Sequence, residues 1–97
     1  MPDLSGAGLR GEYLYGATLF RTDLRGAILF RADLKRADLL QANLRNADLE
    51  ESDLRGAHLE GAVLVRASLK EANLDDAHLE GASLLHAQGL TREQIDS

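Results

Sequence analysis

The chain has 97 residues, 44% of them apolar, with a formal net charge of −5 and 28% charged side chains. It has no cysteine, so disulfide scaffolds and thiolate metal sites are excluded. The acidic balance argues against general nucleic-acid binding, and the longest apolar run, about five residues, is far short of the ~20 that a membrane span needs.

Met1-Pro2-Asp3-Leu4 shows no basic segment followed by an apolar one, so no signal peptide is visible and a cytoplasmic location is expected. A repeat begins at once. Leucine falls at position 4 and then at every fifth residue to Leu84, 17 slots without a miss. Ala stands two residues before the leucine in 13 of them, the exceptions being Pro2, Glu12, Thr22 and Ser52. Asp or Asn stands directly before it in eight: Asp3, Asp23, Asp33, Asp38, Asn43, Asp48, Asp53 and Asn73. The unit Ala-(Asp/Asn)-Leu-x-x covers residues 2–86.

A period of five fits neither common element. On a helix, at about 100° per residue, the leucines would scatter around the barrel. On a continuous strand they would alternate between faces. A chain that runs extended and turns one corner per pentad gathers all of them inside, and each coil must then satisfy its backbone on the coils above and below.

This pattern closely resembles the pentapeptide-repeat family. The resemblance implies an all-β fold, a right-handed quadrilateral β-helix with four pentads per coil and about four coils. One domain over 1–97 is expected, with repeats over about 2–88 and Leu24, Leu44 and Leu64 in one interior column. Ala57–Ala62 recurs letter for letter as Ala77–Ala82, 20 residues on, which supports the coil length independently. The frame breaks at Gly89. Thr91 and Gln94 then fit a capping box, which predicts a short helix over about 91–96 that lays Leu90 and Ile95 against the core. The amino-terminal coil shows no comparable cap.

Three motifs look chemical. Gly6-Ala7-Gly8-Leu9-Arg10-Gly11 matches G-x-G-x-x-G, but its glycines fall in repeat slots and another pentad follows in place of a helix. His58-x-Glu60 and His78-x-Glu80 resemble part of a zinc deaminase signature, whose cysteines are missing. The 20-residue coil should instead stack His58 on His78 and Glu60 on Glu80, a rectangle able to hold a cation. His86 sits at a corner on another side. No Walker-type lysine loop is present and no Ser nucleophile has a base placed by a motif, so the chain reads as a non-enzyme without catalytic residues or cofactors.

The surface is polarised. Residues 1–48 carry 7 Lys/Arg against 6 Asp/Glu, and residues 49–97 carry 4 against 10, a change from +1 to −6. All four aromatics fall between positions 13 and 30. Tyr13, Tyr15, Phe20 and Phe30 occupy outward slots, with Ile28 and Leu40 beside them, and arginines are interleaved. Clustered aromatics beside arginines suit a contact surface, so these six are the candidate partner-binding residues. The leading function is a protein-binding or scaffold rod that engages a partner, or a second copy, through its N-terminal coils. The resemblance offers a different class: some family members mimic DNA and act on DNA gyrase. Such mimics are longer and broadly acidic, whereas Arg25, Arg45, Arg55 and Lys70 interrupt the ladders here. Cation binding at the His/Glu ladder is the third reading.

Overall fold

The computed structural model describes residues 2–91 and Gln94. Parallel β-bridges join each polar-slot residue to the one 20 positions on, from Asp3↔Asp23 to Ser68↔Gln88. Each coil therefore consumes four pentads, and the molecule is a solenoid measuring 31 × 21 × 19 Å. The bridges are isolated. Each side of a coil contributes one paired residue, because the corner begins two residues later and leaves no room for a longer strand.

Backbone accounting explains the five slots. The leucine amide donates to the next coil, as Leu24 N does to Asn43 O at 2.8 Å. The second corner residue also donates to the next coil, as Gly26 N does to Arg45 O at 2.8 Å. The polar-slot amide donates to the preceding coil, as Asp23 N does to Pro2 O at 3.0 Å. The alanine-slot amide closes the turn, as Ala27 N does on Leu24 O at 3.0 Å. That leaves the first corner amide, which neither neighbouring coil reaches. Wherever Asp or Asn precedes the leucine, its side-chain Oδ1 accepts this amide, at 3.0–3.2 Å in all eight units. The polar letter of the repeat thus supplies an acceptor that the coil stack cannot provide.

The second corner residue is left-handed in every pentad, from Gly6 at φ 68° to His86 at φ 59°. Ten of these seventeen positions are not glycine, among them Arg31, Glu51 and Glu71. Each such residue costs roughly 1–2 kcal/mol in isolation, so the stacked ladder, not local preference, holds the corners. Gly89, where the frame breaks, is different. A Cβ there would collide with the backbone N and Cα of Lys70, so the chain leaves the coil at a point where only glycine fits.

Leucines and alanines line the interior. Leu24, Leu44 and Leu64 share one column, and every leucine-slot residue from Leu24 to Leu64 is sealed from solvent. Thr22 and Ser52 fill alanine slots in this core; the Ser52 hydroxyl stays satisfied by donating to Leu49 O at 2.7 Å. Toward the ends the same letters are only half-buried: Leu4, Leu9 and Leu14 above, Leu79, Leu84 and Leu90 below. At the lower end the capping box forms. Gln94 N donates to Thr91 Oγ1 at 3.1 Å and Thr91 N to Gln94 Oε1 at 2.8 Å. Gln94 Nε2 also reaches back to Ala72 O at 3.1 Å, which pins this segment under the third side. Gln94 is helical; the rest of the helix expected over 91–96, Ile95 included, lies outside the described residues apart from Thr91.

Candidate functional site

The 20-residue coil distributes the six candidate contact residues over three consecutive sides. Ile28 and Phe30 share the second side, Tyr13 and Tyr15 the third, and Phe20 stands directly above Leu40 on the fourth. Tyr13 is exposed to 79%, and Tyr15, Ile28 and Phe20 to between 42% and 48%. Phe30 and Leu40 are half-buried, so their outward slots do not leave them free. The reason is visible at Phe30: the Arg10 guanidinium lies 4.9 Å from its ring centre and that of Arg31 5.2 Å. Arg21 covers Phe20 at 5.6 Å and Lys35 Nζ approaches Tyr15 at 5.9 Å. The arginines interleaved in the sequence are therefore partners of the aromatics within the chain, and the surface they make wraps around the first two coils.

Below Tyr15 the third side forms a shallow groove of about 390 Å³ lined by Lys35, Arg36, Arg55, Gly56 and Asp76. Two of its three cations, Arg55 and Lys35, are engaged. Arg55 grips Asp53 with two nitrogens, at 2.9 and 2.6 Å, and Lys35 Nζ lies 3.8 Å from both Asp33 and Asp53. On the first side Arg25 holds Asp23 in the same bidentate way, at 2.9 and 2.7 Å. The Arg25 guanidinium and backbone amide hold the Asp23 carboxyl below its ordinary range, and Arg55 does the same to Asp53. Asp23, Asp33 and Asp53 on these sides are thus neutralised locally.

The histidine ladder forms on the fourth side. The His58 and His78 rings stack with centroids 4.6 Å apart and planes 4° from parallel. Glu60 Oε2 lies 3.3 Å from His58 Nδ1, while the other oxygen, Oε1, is buried without a hydrogen-bond partner. Burial pushes the Glu60 carboxyl up, but its own backbone amide and the two imidazoles outweigh that and hold it below the ordinary range. One ligand atom each from His58, Glu60 and His78 lie within 4.8 Å of one another. Glu80 does not join that group, so the expected rectangle is a triad.

Sequence reasoning missed Leu85, which is exposed to 61% and shares the first side with Val63 and Val65. The signal was available: Leu84-Leu85 places a second leucine in the first corner slot, where the core cannot receive it.

The comparisons with known proteins follow the repeat. The family model for pentapeptide repeats matches residues 3–36, 27–64 and 47–84. No curated protein matches the sequence. Among solved structures, a pentapeptide repeat protein of the Arabidopsis thaliana thylakoid lumen is 31% identical, with a TM-score of 0.63 over 96% of this chain and 71% of that one. HetL, a protein of the cyanobacterium Nostoc sp. strain PCC 7120 involved in heterocyst differentiation regulation, is 34% identical, with a TM-score of 0.58 over 93% of this chain and 47% of that one. A further Nostoc pentapeptide repeat protein is 38% identical, with a TM-score of 0.59 over 84% and 63% respectively. The chain spans roughly half to two-thirds of the two Nostoc relatives. With the leucine columns, the 20-residue bridges and the matched repeats all in register, this chain belongs to the pentapeptide repeat family.

Proposed function

We propose that this rod is a non-enzymatic interaction module that associates with a second copy of itself through its N-terminal coils. The observation that carries the reading is the apolar exposure at one end. Tyr13, Tyr15, Phe20 and Ile28 stand open to solvent there, beside the half-buried Leu4, Leu9 and Leu14. Exposed aromatic and aliphatic side chains clustered on one part of a surface suit a contact, and a two-fold arrangement covers both copies at once. Charge favours that orientation: residues 1–48 carry 7 Lys/Arg against 6 Asp/Glu, while residues 49–97 carry 4 against 10 and would repel their like. Right-handed winding of the coils and a closing helix over about 91–96, as the family resemblance implies, belong to the same reading.

Light scattering over a concentration series tests this. The wild type should form a dimer, and a Tyr15→Glu/Phe20→Glu variant should be a monomer of unchanged circular dichroism. A wild type that stays monomeric at the highest concentrations overturns self-association; a lysate protein retained by the wild type and lost from the variant would then replace the second copy with a different partner. The DNA-mimic alternative is disfavoured by the bidentate Arg25–Asp23 and Arg55–Asp53 pairs, which cancel carboxylates where a phosphate-like row would need them free.

A further inference from the structure

We propose that His58, His78 and Glu60 form a binding site for a divalent transition-metal ion of the zinc type. The site lies on the fourth side, with Glu60 one coil below Leu40, and its donor set does not depend on the reading given above.

The repeat prepares the backbone for it. His58 and His78 occupy the same slot on successive coils and form a parallel bridge. His58 N donates to Ala37 O at 2.9 Å and its carbonyl accepts from Leu39 N at 2.7 Å. His78 N donates to Ala57 O at 2.9 Å and its carbonyl accepts from Leu59 N at 2.8 Å. Both imidazoles therefore project from positions that the hydrogen bonds of the coil stack fix. Glu60 adds the third donor two residues after His58, where its first corner slot brings the carboxylate onto the same surface.

Side-chain chemistry then selects the ligand. Two imidazoles and one carboxylate are the protein donors of an open, three-ligand zinc site, with the fourth position left to water. Glu60 Oε2 is already 3.3 Å from His58 Nδ1, about the separation of two ligands on one tetrahedral ion when each bond is about 2.0–2.1 Å. The stacked rings, 4.6 Å apart, must tilt toward each other by roughly an ångström to share an ion at such bond lengths. Both are exposed, which leaves them room to do so. The independent sign is Glu60 Oε1, a carboxylate oxygen buried in this cluster with no hydrogen-bond donor. Buried polar atoms are rarely left in that state, and a cation bound by both oxygens of this carboxylate would remove the deficit. The surrounding register is mostly acidic, with Asp38 one coil above His58, Glu80 one coil below Glu60 and Asp76 at the corner before His78; Arg36, at the corner before Asp38, is the base in this stretch.

Calorimetric titration of the untagged protein with zinc chloride, with Co²⁺ as a coloured substitute, tests the site. One ion should bind per chain, and the Co²⁺ form should show the intense visible bands of a tetrahedral centre. His78→Gln and Glu60→Gln should each weaken binding by about tenfold or more, while His86→Gln leaves it unchanged. Proton NMR of the wild type adds a readout that needs no variant: Zn²⁺ should shift the ring signals of His58 and His78 and leave those of His86 in place. No binding at about 100 μM Zn²⁺, equal affinity in wild type and a folded His78→Gln, or ring shifts confined to His86 would each overturn the proposal.

Discussion

The first coil and the second carry nearly the same letters, yet they live in different environments. Leu4, Leu9 and Leu14 are half-buried, while Leu24, Leu29 and Leu34, their equivalents one coil down, are fully sealed. Backbone pairing changes in step: among the described residues the amides of Gly8, Tyr13 and Thr18 make no bond of the kind that Ile28, Asp33 and Asp38 make to the preceding coil. Burial in a solenoid is a property of position in the stack. A pentad becomes core only when coils lie on both sides of it, so stability accrues at interfaces between coils.

Placing a charge in each environment should break this comparison most sharply. Leu44→Asp puts a carboxylate into the sealed column at a cost of several kcal/mol and should abolish cooperative unfolding in urea. Leu4→Asp, at the open end, should leave a folded protein with a modestly lowered midpoint. Equal behaviour of the two variants would mean that the coils do not stack as described.

A smaller effect separates the backbone role of the polar slot from its charge. Asp48→Ala removes the Oδ1 that accepts Glu50 N at 3.0 Å and should cost about 1 kcal/mol by denaturant titration, whereas Asp48→Asn, which keeps the acceptor, should cost less. If the two substitutions cost the same, the carboxylate charge matters and the turn bond does not.

Corner strain is a third lever, of similar or lesser size. Glu71 is left-handed at φ 61°, so Glu71→Gly relieves a conformation that L-residues disfavour but increases the freedom of the unfolded chain. Net stabilisation of up to about 1 kcal/mol is expected, read as a raised melting temperature. The same exchange at Leu40, a first corner residue that is not left-handed, should destabilise.

The smallest effect is that of acid. Arg25 and Arg55 hold the Asp23 and Asp53 carboxyls below the ordinary range in the folded state. The unfolded chain then binds more protons through that interval, so the contribution is present above the ordinary carboxylate value and is lost as pH falls through the lowered folded values. Being exposed pairs, they contribute little each. Arg55→Met should flatten the acid limb of a stability–pH curve slightly and leave neutral stability almost unchanged.

Much of this architecture was legible in the letters because the period of five admits few geometries. The inward leucines and the Thr91/Gln94 box follow from spacing, and the 20-residue coil from the family resemblance and the recurrence of Ala57–Ala62 at Ala77–Ala82. The contact surface was legible as composition but not as shape. Tyr13, Phe20 and Phe30 lie close in sequence, yet a corner every five residues carries them onto three sides, and Arg10 and Arg31 half-cover Phe30 from different coils. Leu85 is masked in the letters by its neighbour Leu84, which holds the inward slot and leaves the first corner slot, outside the core, to Leu85.

By itself, then, the period of five determined the inward leucines, while the 20-residue coil and the stacking of His58 on His78 followed from the family resemblance together with the recurrence of Ala57–Ala62 at Ala77–Ala82. The tertiary structure alone decided why Asp or Asn precedes leucine, because the amide that needs an acceptor can be identified only after the other four donors have been assigned, three to neighbouring coils and one to its own turn. It also decided that Glu60, and not Glu80, joins the histidines, and that Gly89 cannot carry a side chain against Lys70. Those outcomes depend on atoms 20 residues apart meeting within a few ångströms, a distance that no local pattern encodes.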